Sequence, residues 1–201
     1  MIAAVLFDMN DVLVRYDKSA RIARLAQIAQ TTPAAVEAAI WGSGFEDLGD
    51  SGALDAGAYL KGFGERLGFP LPEAAWAAAL KAAVTPIPAT LALAAGVRAR
   101  ARVALLTNNN LLVKRAAAAL FPELVPIFGE NFFVSAEFGA RKPEAQAYLG
   151  CLQRLGVAPK AALFIDDAPK NVAGAELAGL AAHLYRSPDA LERALSDEGL
   201  L

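Results

Sequence analysis

Three apolar runs in this sequence end in side chains that could do chemistry. Asp8 ends the first run, Thr107 the second, and Asp166 with Asp167 the third, while Lys142 lies between the last two. Carboxylates gathered from separate strands form a hard oxygen site suited to Mg²⁺. The lysine would offset their charge and keep Asp8 ionised, and Thr107 could donate to phosphate oxygens. The pattern predicts transfer of a phosphoryl group to an aspartate.

The runs themselves predict the elements that would bring these residues together. Residues 4–7, 102–106 and 161–165 are short, apolar and bounded by polar residues, which is typical of strands buried on both faces. Helical patterns alternate with them, so we predict an α/β fold with a Rossmann-like, doubly wound parallel sheet. The carboxyl ends of such strands share one edge, where ligands bind. A last helix is predicted over residues 171–178, followed by a strand at 182–185.

The segment between the first two runs is predicted to contain helices only. Four helical patterns follow one another over residues 16–83, the first with Ser19 as a plausible cap. The sequence therefore predicts an inserted four-helix cap domain at 16–83 and a core domain at 1–15 and 84–201. A glycine-rich loop over residues 41–52 interrupts the helices, and we expect Trp41 in this loop to face the substrate.

Composition narrows the class of partner. The 201 residues carry a net charge of −2 with no long block of like charge, so neither nucleic acid nor a membrane surface is an expected partner. One cysteine, Cys151, allows no internal disulfide and fits a cytoplasmic location. One histidine, His183, excludes a zinc site built from several histidines. No signal peptide or membrane span is expected, and a monomer and a homodimer are both compatible with the chain.

Four motifs in order resemble those of the haloacid dehalogenase (HAD) superfamily of hydrolases. They are residues 7–13 (FDMNDVL), 106–108 (LTN), 141–143 (RKP) and 164–172 (FIDDAPKNV). Each is weak alone, but the set, with a helical insertion between the first two, is specific. The fourth motif is similar to that of small phosphatases whose helical cap follows the first motif. The resemblance covers nearly the whole chain.

The resemblance implies a role for each motif residue. Asp8 would be the nucleophile that forms an aspartyl-phosphate, and Lys142 and Thr107 would hold the phosphate. Mg²⁺ would bind Asp8, the backbone carbonyl of Asn10, and the pair Asp166 and Asp167, with Asp167 the preferred direct ligand. Asn108 and Asn109 would orient a small phosphorylated metabolite, although three consecutive asparagines also suit a plain strand-to-helix turn.

One departure from the family pattern bears on activity. Active phosphatases carry an aspartate two places after the nucleophile, which protonates the leaving oxygen, and this chain has Asn10 there. An amide cannot transfer that proton, and such acid–base catalysis is worth about 10²–10⁴-fold. Asp11 stands where a glycine is usual. In an extended segment it would point away from the Asn10 side, so it is not expected to replace the missing acid.

Two other functions stay open at this point. A 2-haloacid dehalogenase would also lack the second aspartate, but the carboxylates at 166 and 167 would repel an anionic haloacid unless a cation bound there. A regulatory protein could keep the phosphate and metal pocket without turnover, and Asn10 is the argument for it.

Overall fold

The structure, a computed structural model, describes residues 1–201, and five short apolar segments form its central sheet. The strands in chain order are β1 (Ala4–Phe7), β2 (Val14–Tyr16), β3 (Val84–Pro86), β4 (Arg102–Thr107), β5 (Phe132–Val134), β6 (Ala162–Asp166) and β7 (Ala181–Leu184). In the central sheet all neighbouring strands are parallel, in the order β5-β4-β1-β6-β7. The other two strands, β2 and β3, form a separate antiparallel pair.

Strand register explains why the polar tips meet. Phe7 of β1 lies opposite Leu105 of β4 and Ile165 of β6, so the three strands end within two residues of one another. All four residues of β1 are fully buried, as expected for a central strand. Alternate β1 side chains enter the two apolar clusters on opposite faces of the sheet. The predicted parallel, doubly wound sheet is confirmed.

Five helices lie between β2 and β3, one more than the sequence predicted. They are α1 (Lys18–Ile28), α2 (Pro33–Ile40), α3 (Phe45–Asp50), α4 (Ala56–Leu67) and α5 (Glu73–Lys81). The additional helix, α3, occupies part of the segment predicted as a loop. Gly44, the residue that precedes α3, has φ +73°, a left-handed backbone conformation that suits glycine. The predicted cap at Ser19 is wrong: Asp17 caps α1, accepting from the Ala20 amide at 3.0 Å.

An aromatic cluster forms the interior of this helical part. Phe45 stacks on Tyr59 with ring centroids 5.4 Å apart, and Phe63 and Trp76 contact Tyr59 edge to face. All four rings are buried. Phe45 thus anchors the short α3 by burial, which compensates for its few internal hydrogen bonds. The division of the chain into a core at 1–15 and 84–201 and a cap at 16–83 stays a prediction.

The remaining helices cover both faces of the sheet. They are α6 (Pro88–Val97), α7 (Leu111–Leu120), α8 (Val125–Phe128), α9 (Ala145–Leu155), α10 (Pro169–Leu177) and α11 (Pro188–Asp197). Helix α11 is a difference from the sequence prediction, which has the helix at 171–178 as the last. Its signals are Leu191 and Leu195, four residues apart and both fully buried, and Ser187 as the cap. Of all the helices, none has the length and apolar character to cross a membrane.

Candidate active site

A buried lysine joins two carboxylates at the carboxyl edge of the sheet. Asp8 directly follows β1, Asp166 ends β6, and Lys142 comes from the loop between β5 and α9. Lys142 Nζ donates to Asp8 Oδ1 at 2.6 Å and to Asp166 Oδ2 at 2.7 Å. All three residues are at most 7% exposed. The structure thus brings together three residues that the sequence placed at the site.

Asp166 and Asp167 have different environments. Asn171 Nδ2 donates to both carboxylate oxygens of Asp166 at 3.0 Å, and the Ala168 amide donates to Oδ1 at 2.8 Å. With the Lys142 bond, both oxygens of Asp166 are held in fixed positions. Asp167 is half-buried, and no side chain donates a hydrogen bond to it. Its oxygens are therefore freer to bind a cation, and the preference for Asp167 as the direct metal ligand stays a prediction.

The donor set fits a divalent cation. Oxygen atoms of Asp8, Asp166 and Asp167 lie within 4.8 Å of one another. The backbone carbonyl of Asn10 accepts none of the backbone hydrogen bonds, so it too could serve as a ligand. Oxygen ligands of this kind are those that Mg²⁺ prefers, and Mg²⁺ usually retains places for water and phosphate.

Burial and mutual repulsion set the ionisation of the carboxylates. Burial raises the pKa of Asp8, Lys142 lowers it, and Asp166 raises it again. Burial also raises the pKa of Asp167, and the charge of Asp166 adds to the effect. Burial lowers the pKa of Lys142, but the two carboxylates together raise it above its usual value. The charge of Lys142 alone therefore does not offset the rise in the pKa of Asp8 that burial causes. A bound cation would favour the ionised form of Asp8.

The asparagines after β4 have three different partners. Asn108 exchanges two hydrogen bonds with the backbone of Lys142, at 2.8 and 2.9 Å, and so positions that residue. Asn109 Nδ2 donates to Thr107 Oγ1 at 2.9 Å, which orients the buried hydroxyl. Asn110 caps α7 by accepting from two amides. The sequence left two interpretations open, substrate orientation by Asn108 and Asn109 or an ordinary strand-to-helix turn, and the role in substrate binding stays a prediction.

A small cavity lies between this edge and the helices α1 to α5. It has a volume of about 180 Å³. From the strand-end loops it is lined by Asn10, Asn108 and Asn109, and from the helices by Arg21, Trp41 and Asp50, among others. Trp41 is half-buried there, and the Arg21 guanidinium lies 5.3 Å from its ring centroid. Trp41 and Asp50, both from the segment predicted as a glycine-rich loop, line this cavity, and the substrate-binding role of Trp41 stays a prediction. Arg21 was not singled out from the sequence.

Comparison with known proteins identifies the family. The sequence model of the haloacid dehalogenase-like hydrolases matches residues 2–179. The chain belongs to this family. A predicted HAD-like family hydrolase from Porphyromonas gingivalis superposes with a TM-score of 0.81 at 25% identity, covering 97% of this chain and 98% of that one.

Other relatives of this HAD-like hydrolase have more specific descriptions. A HAD family enzyme from Bacteroides thetaiotaomicron, in complex with magnesium and inorganic phosphate, superposes with a TM-score of 0.76 at 22% identity over 92% of this chain and 95% of that one. L-2-haloacid dehalogenase from Xanthobacter autotrophicus gives 0.64 at 21% identity, covering 100% and 85%. Flavin mononucleotide hydrolase 1 of Arabidopsis thaliana is 40% identical over 68 residues, 34% of this chain and 28% of its own length.

The first motif of this HAD-like hydrolase has an unusual backbone. Asp11 adopts φ +59°, the left-handed conformation that favours glycine, which explains why the family usually has glycine there. The exposed Asp11 carboxylate accepts from the Tyr16 amide at 3.2 Å and faces a groove other than the cavity. Asn10 Oδ1, in contrast, is buried without a hydrogen-bond partner. The Asp11 carboxylate therefore lies outside the cavity that Asn10 lines, and its not replacing the missing acid stays a prediction.

A substitution at Gly174 can test how tightly the loop that carries Lys142 is packed. A Cβ atom at Gly174 of α10 would lie 2.5 Å from the carbonyl oxygen of Pro143, the residue after Lys142. We expect Gly174→Ala to push this loop away and lower the free energy of unfolding by about 1–3 kcal/mol. Urea unfolding measures the loss. Gly57→Ala is the matched control: the position is exposed on α4, the nearest atom to the added Cβ would be Asp55 Oδ1 at 3.4 Å, an ordinary contact, and the change should not destabilise the protein.

Proposed function

We propose that this HAD-like hydrolase is a Mg²⁺-dependent phosphatase that acts on a small phosphorylated metabolite through an aspartyl-phosphate. The observation that supports it most is the buried bridge from Lys142 to Asp8 and Asp166, with a third carboxylate, Asp167, beside it. Buried like charges on separate strands are costly unless cations compensate for them. Such an arrangement is characteristic of a site that binds a cation and an anionic substrate.

The side chains present would carry the reaction in two displacements. An oxygen of the Asp8 carboxylate attacks phosphorus, the bond between phosphorus and the leaving oxygen breaks, and the leaving oxygen takes up a proton from solvent water. A water molecule then attacks the same phosphorus and gives a proton to solvent, the bond between phosphorus and the Asp8 oxygen breaks, and inorganic phosphate and the free carboxylate are formed. Lys142 and the Thr107 hydroxyl would hold the phosphate oxygens through both steps.

Asp8, Asp167 and the Asn10 carbonyl would hold the metal, with Asp166 beside them. When bound, Mg²⁺ supplies positive charge to the phosphate oxygens and to the carboxylates. Hydrogen bonds within the protein hold these side chains in place. Asn171 and Lys142 fix the position of Asp166, and Asn108 fixes the position of Lys142.

The identity of residue 10 limits the proposed activity. Asn10 cannot give a proton to a departing alkoxide, so alkyl phosphates should turn over slowly. Acyl phosphates need less help because their leaving groups are weaker bases. Relatives support phosphate chemistry in their descriptions, one as a flavin mononucleotide hydrolase and one as a complex with magnesium and phosphate.

A screen of phosphate release tests the proposal. Sugar phosphates, nucleotides, FMN and acetyl phosphate are assayed with Mg²⁺ and with EDTA, and Asp8→Asn purified in the same way measures contaminating activity. We expect release that depends on Mg²⁺ and is fastest for acetyl phosphate. Halide release from 2-chloropropionate in EDTA would instead identify a dehalogenase. Tight binding of Mg²⁺ and phosphate without any release would favour a regulatory role.

Binding of Mg²⁺ should also increase the stability of the folded protein. At a Mg²⁺ concentration one hundred times its Kd the folded state gains about 2.7 kcal/mol, which raises Tm by about 5–10 °C for a chain of this size. Asp167→Asn should lose most of this shift, and should be more stable than the unaltered chain in EDTA because one repelling carboxylate is gone. Differential scanning calorimetry measures both effects. Asp197→Asn, exposed on α11, is the control, and an equal Mg²⁺ shift in both variants would exclude Asp167 as a ligand.

A further inference from the structure

Unpaired polar atoms are concentrated around the small cavity beside Asn10. Six buried side-chain nitrogen or oxygen atoms in the chain have no hydrogen-bond partner. Three of them, Asn10 Oδ1, Arg21 Nε and Asp50 Oδ1, belong to residues that line this cavity. Buried polar groups are normally satisfied, and an unpaired one calls for an explanation. A ligand that offers both donors and acceptors would satisfy all three at once.

The charge of the cavity wall argues against a second anionic group on this ligand. Arg21, only 4% exposed, lies with its Nη2 3.5 Å from Glu46 Oε1, so its charge already has a partner. Glu46 also accepts from the Tyr59 hydroxyl at 2.5 Å. Asp50 adds a further carboxyl group on the same wall. An additional carboxylate or phosphate would meet three acidic side chains, Glu46, Asp47 and Asp50, and one arginine that is already paired.

Burial, and after it the charge of Glu46, raise the pKa of Asp50 and so shift it towards its neutral form. Burial raises the pKa of Asp50, and Glu46 raises it further, against the opposing effect of Arg141 and Arg21; Asp47 raises it slightly more. A neutral carboxyl group both donates and accepts hydrogen bonds, as a hydroxyl does. Hydroxyl groups of a ligand are therefore suitable partners for it, and equally for the amide of Asn10.

The cavity is small, and its wall is fixed to the sheet. Its volume of about 180 Å³ is below the roughly 300–1,000 Å³ of sites for drug-sized ligands. Ser135 Oγ donates to the Asp50 carbonyl at 2.6 Å and accepts from the Asn109 amide at 3.1 Å. This hydroxyl joins the end of α3 to the loop that follows β4. In this conformation Asp50 is therefore held at a set position relative to Asn109.

We propose that this cavity binds the leaving group of the substrate and that this group is a small, uncharged polyol or sugar, whose hydroxyls bond Asn10, Arg21 and Asp50. The inference rests on the proposed phosphatase function, because it assumes that the phosphate lies at Asp8. It assigns Arg21 and Asp50 as specificity-determining residues. It also excludes flavin and nucleoside groups as leaving groups in this closed conformation, because they are too large.

A matched pair of ligands tests the proposal by binding alone. Glycerol 3-phosphate and propyl phosphate have the same carbon chain and phosphate and differ by two hydroxyls. Calorimetry with Mg²⁺ on the Asp8→Asn variant, which avoids turnover, should give glycerol 3-phosphate about 10- to 100-fold tighter binding than propyl phosphate, and tighter binding than FMN. Asp50→Ala, added to this variant, should reduce the preference at least fivefold and leave the affinity for propyl phosphate unchanged.

Two further variants separate hydrogen bonding from damage to the fold. Asp50→Asn keeps an oxygen and a donor at the cavity and should retain most of the preference, and Glu65→Ala, on the outer face of α4, should retain all of it. Equal binding of glycerol 3-phosphate and propyl phosphate, equally tight FMN, or no measurable binding of glycerol 3-phosphate would overturn the inference. Selective binding by a protein that releases no phosphate would overturn the phosphatase proposal and leave the assignment of the cavity intact.

Discussion

Lys142→Met is expected to lower the free energy of unfolding by about 3–5 kcal/mol in metal-free buffer, because removal of one partner leaves buried charges uncompensated. Asp8 and Asp166 would then face each other with no cation between them, and both are almost fully buried. Methionine preserves the length of the side chain, so the loss reports charge rather than packing. Activity should fall as well, since Lys142 is placed to hold the phosphate.

Urea unfolding in EDTA measures this loss, and repetition with Mg²⁺ checks its cause. Mg²⁺ should restore part of the stability, because a divalent cation supplies the missing positive charge. Lys61→Met is the control: that side chain is 79% exposed and pairs only with Glu65 at 3.6 Å, so the change should be under about 0.5 kcal/mol. A loss below about 1 kcal/mol for Lys142→Met would mean that the carboxylates are not ionised in the free protein.

Asn10→Asp is expected to raise kcat for alkyl phosphates by about 10²–10⁴-fold, the usual contribution of a positioned acid–base group. Asparagine and aspartate have nearly the same shape, and the Asn10 side chain already lines the cavity beside the proposed leaving group. The substitution therefore adds a transferable proton with little change in packing.

Two substrates distinguish proton transfer from a general improvement. Release of phosphate from glycerol 3-phosphate should rise by the full factor, and release from acetyl phosphate by less than about tenfold, because acetate leaves without protonation. Asp11→Asn, adjacent in sequence but directed at the Tyr16 amide, should leave both rates unchanged. Equal increases in the rate of phosphate release from the two substrates would show that residue 10 does not act as the acid. No increase for either would show that protonation of the leaving group does not limit the rate.

The sheet and its polar edge could be predicted because their signals are local. Each strand is a short apolar run, and parallel pairing by itself places Asp8, Thr107 and Asp166 at one edge. Lys142 is expected at the same edge from the sequence, but its burial could not be predicted, because a lysine in a polar segment carries no sign of burial. The burial of Lys142 depends on contacts with residues that are distant in the sequence, above all the pair of hydrogen bonds with Asn108.

The wall of the cavity could not be predicted for the same reason. Arg21 lies beside the apolar residues of α1, and its burial depends on Glu46 and on three aromatic rings from later segments. Helix α3 forms within a stretch whose glycines suggest a loop, because Phe45 is drawn into the aromatic cluster. The left-handed conformation of Asp11 also could not be predicted, because aspartate indicates a left-handed backbone less strongly than glycine does.

The antiparallel pair β2–β3 has a mechanical consequence. Both connections between the sheet and helices α1 to α5 run through it, and Arg15 lies directly opposite Thr85. Two backbones that are hydrogen-bonded to each other bend as one ribbon, whereas two independent linkers would also permit sliding and torsion. Helices α1 to α5 are therefore expected to rotate relative to the sheet about one hinge axis when the cavity opens. Small solutes would then enter and leave from the side opposite the β2–β3 ribbon.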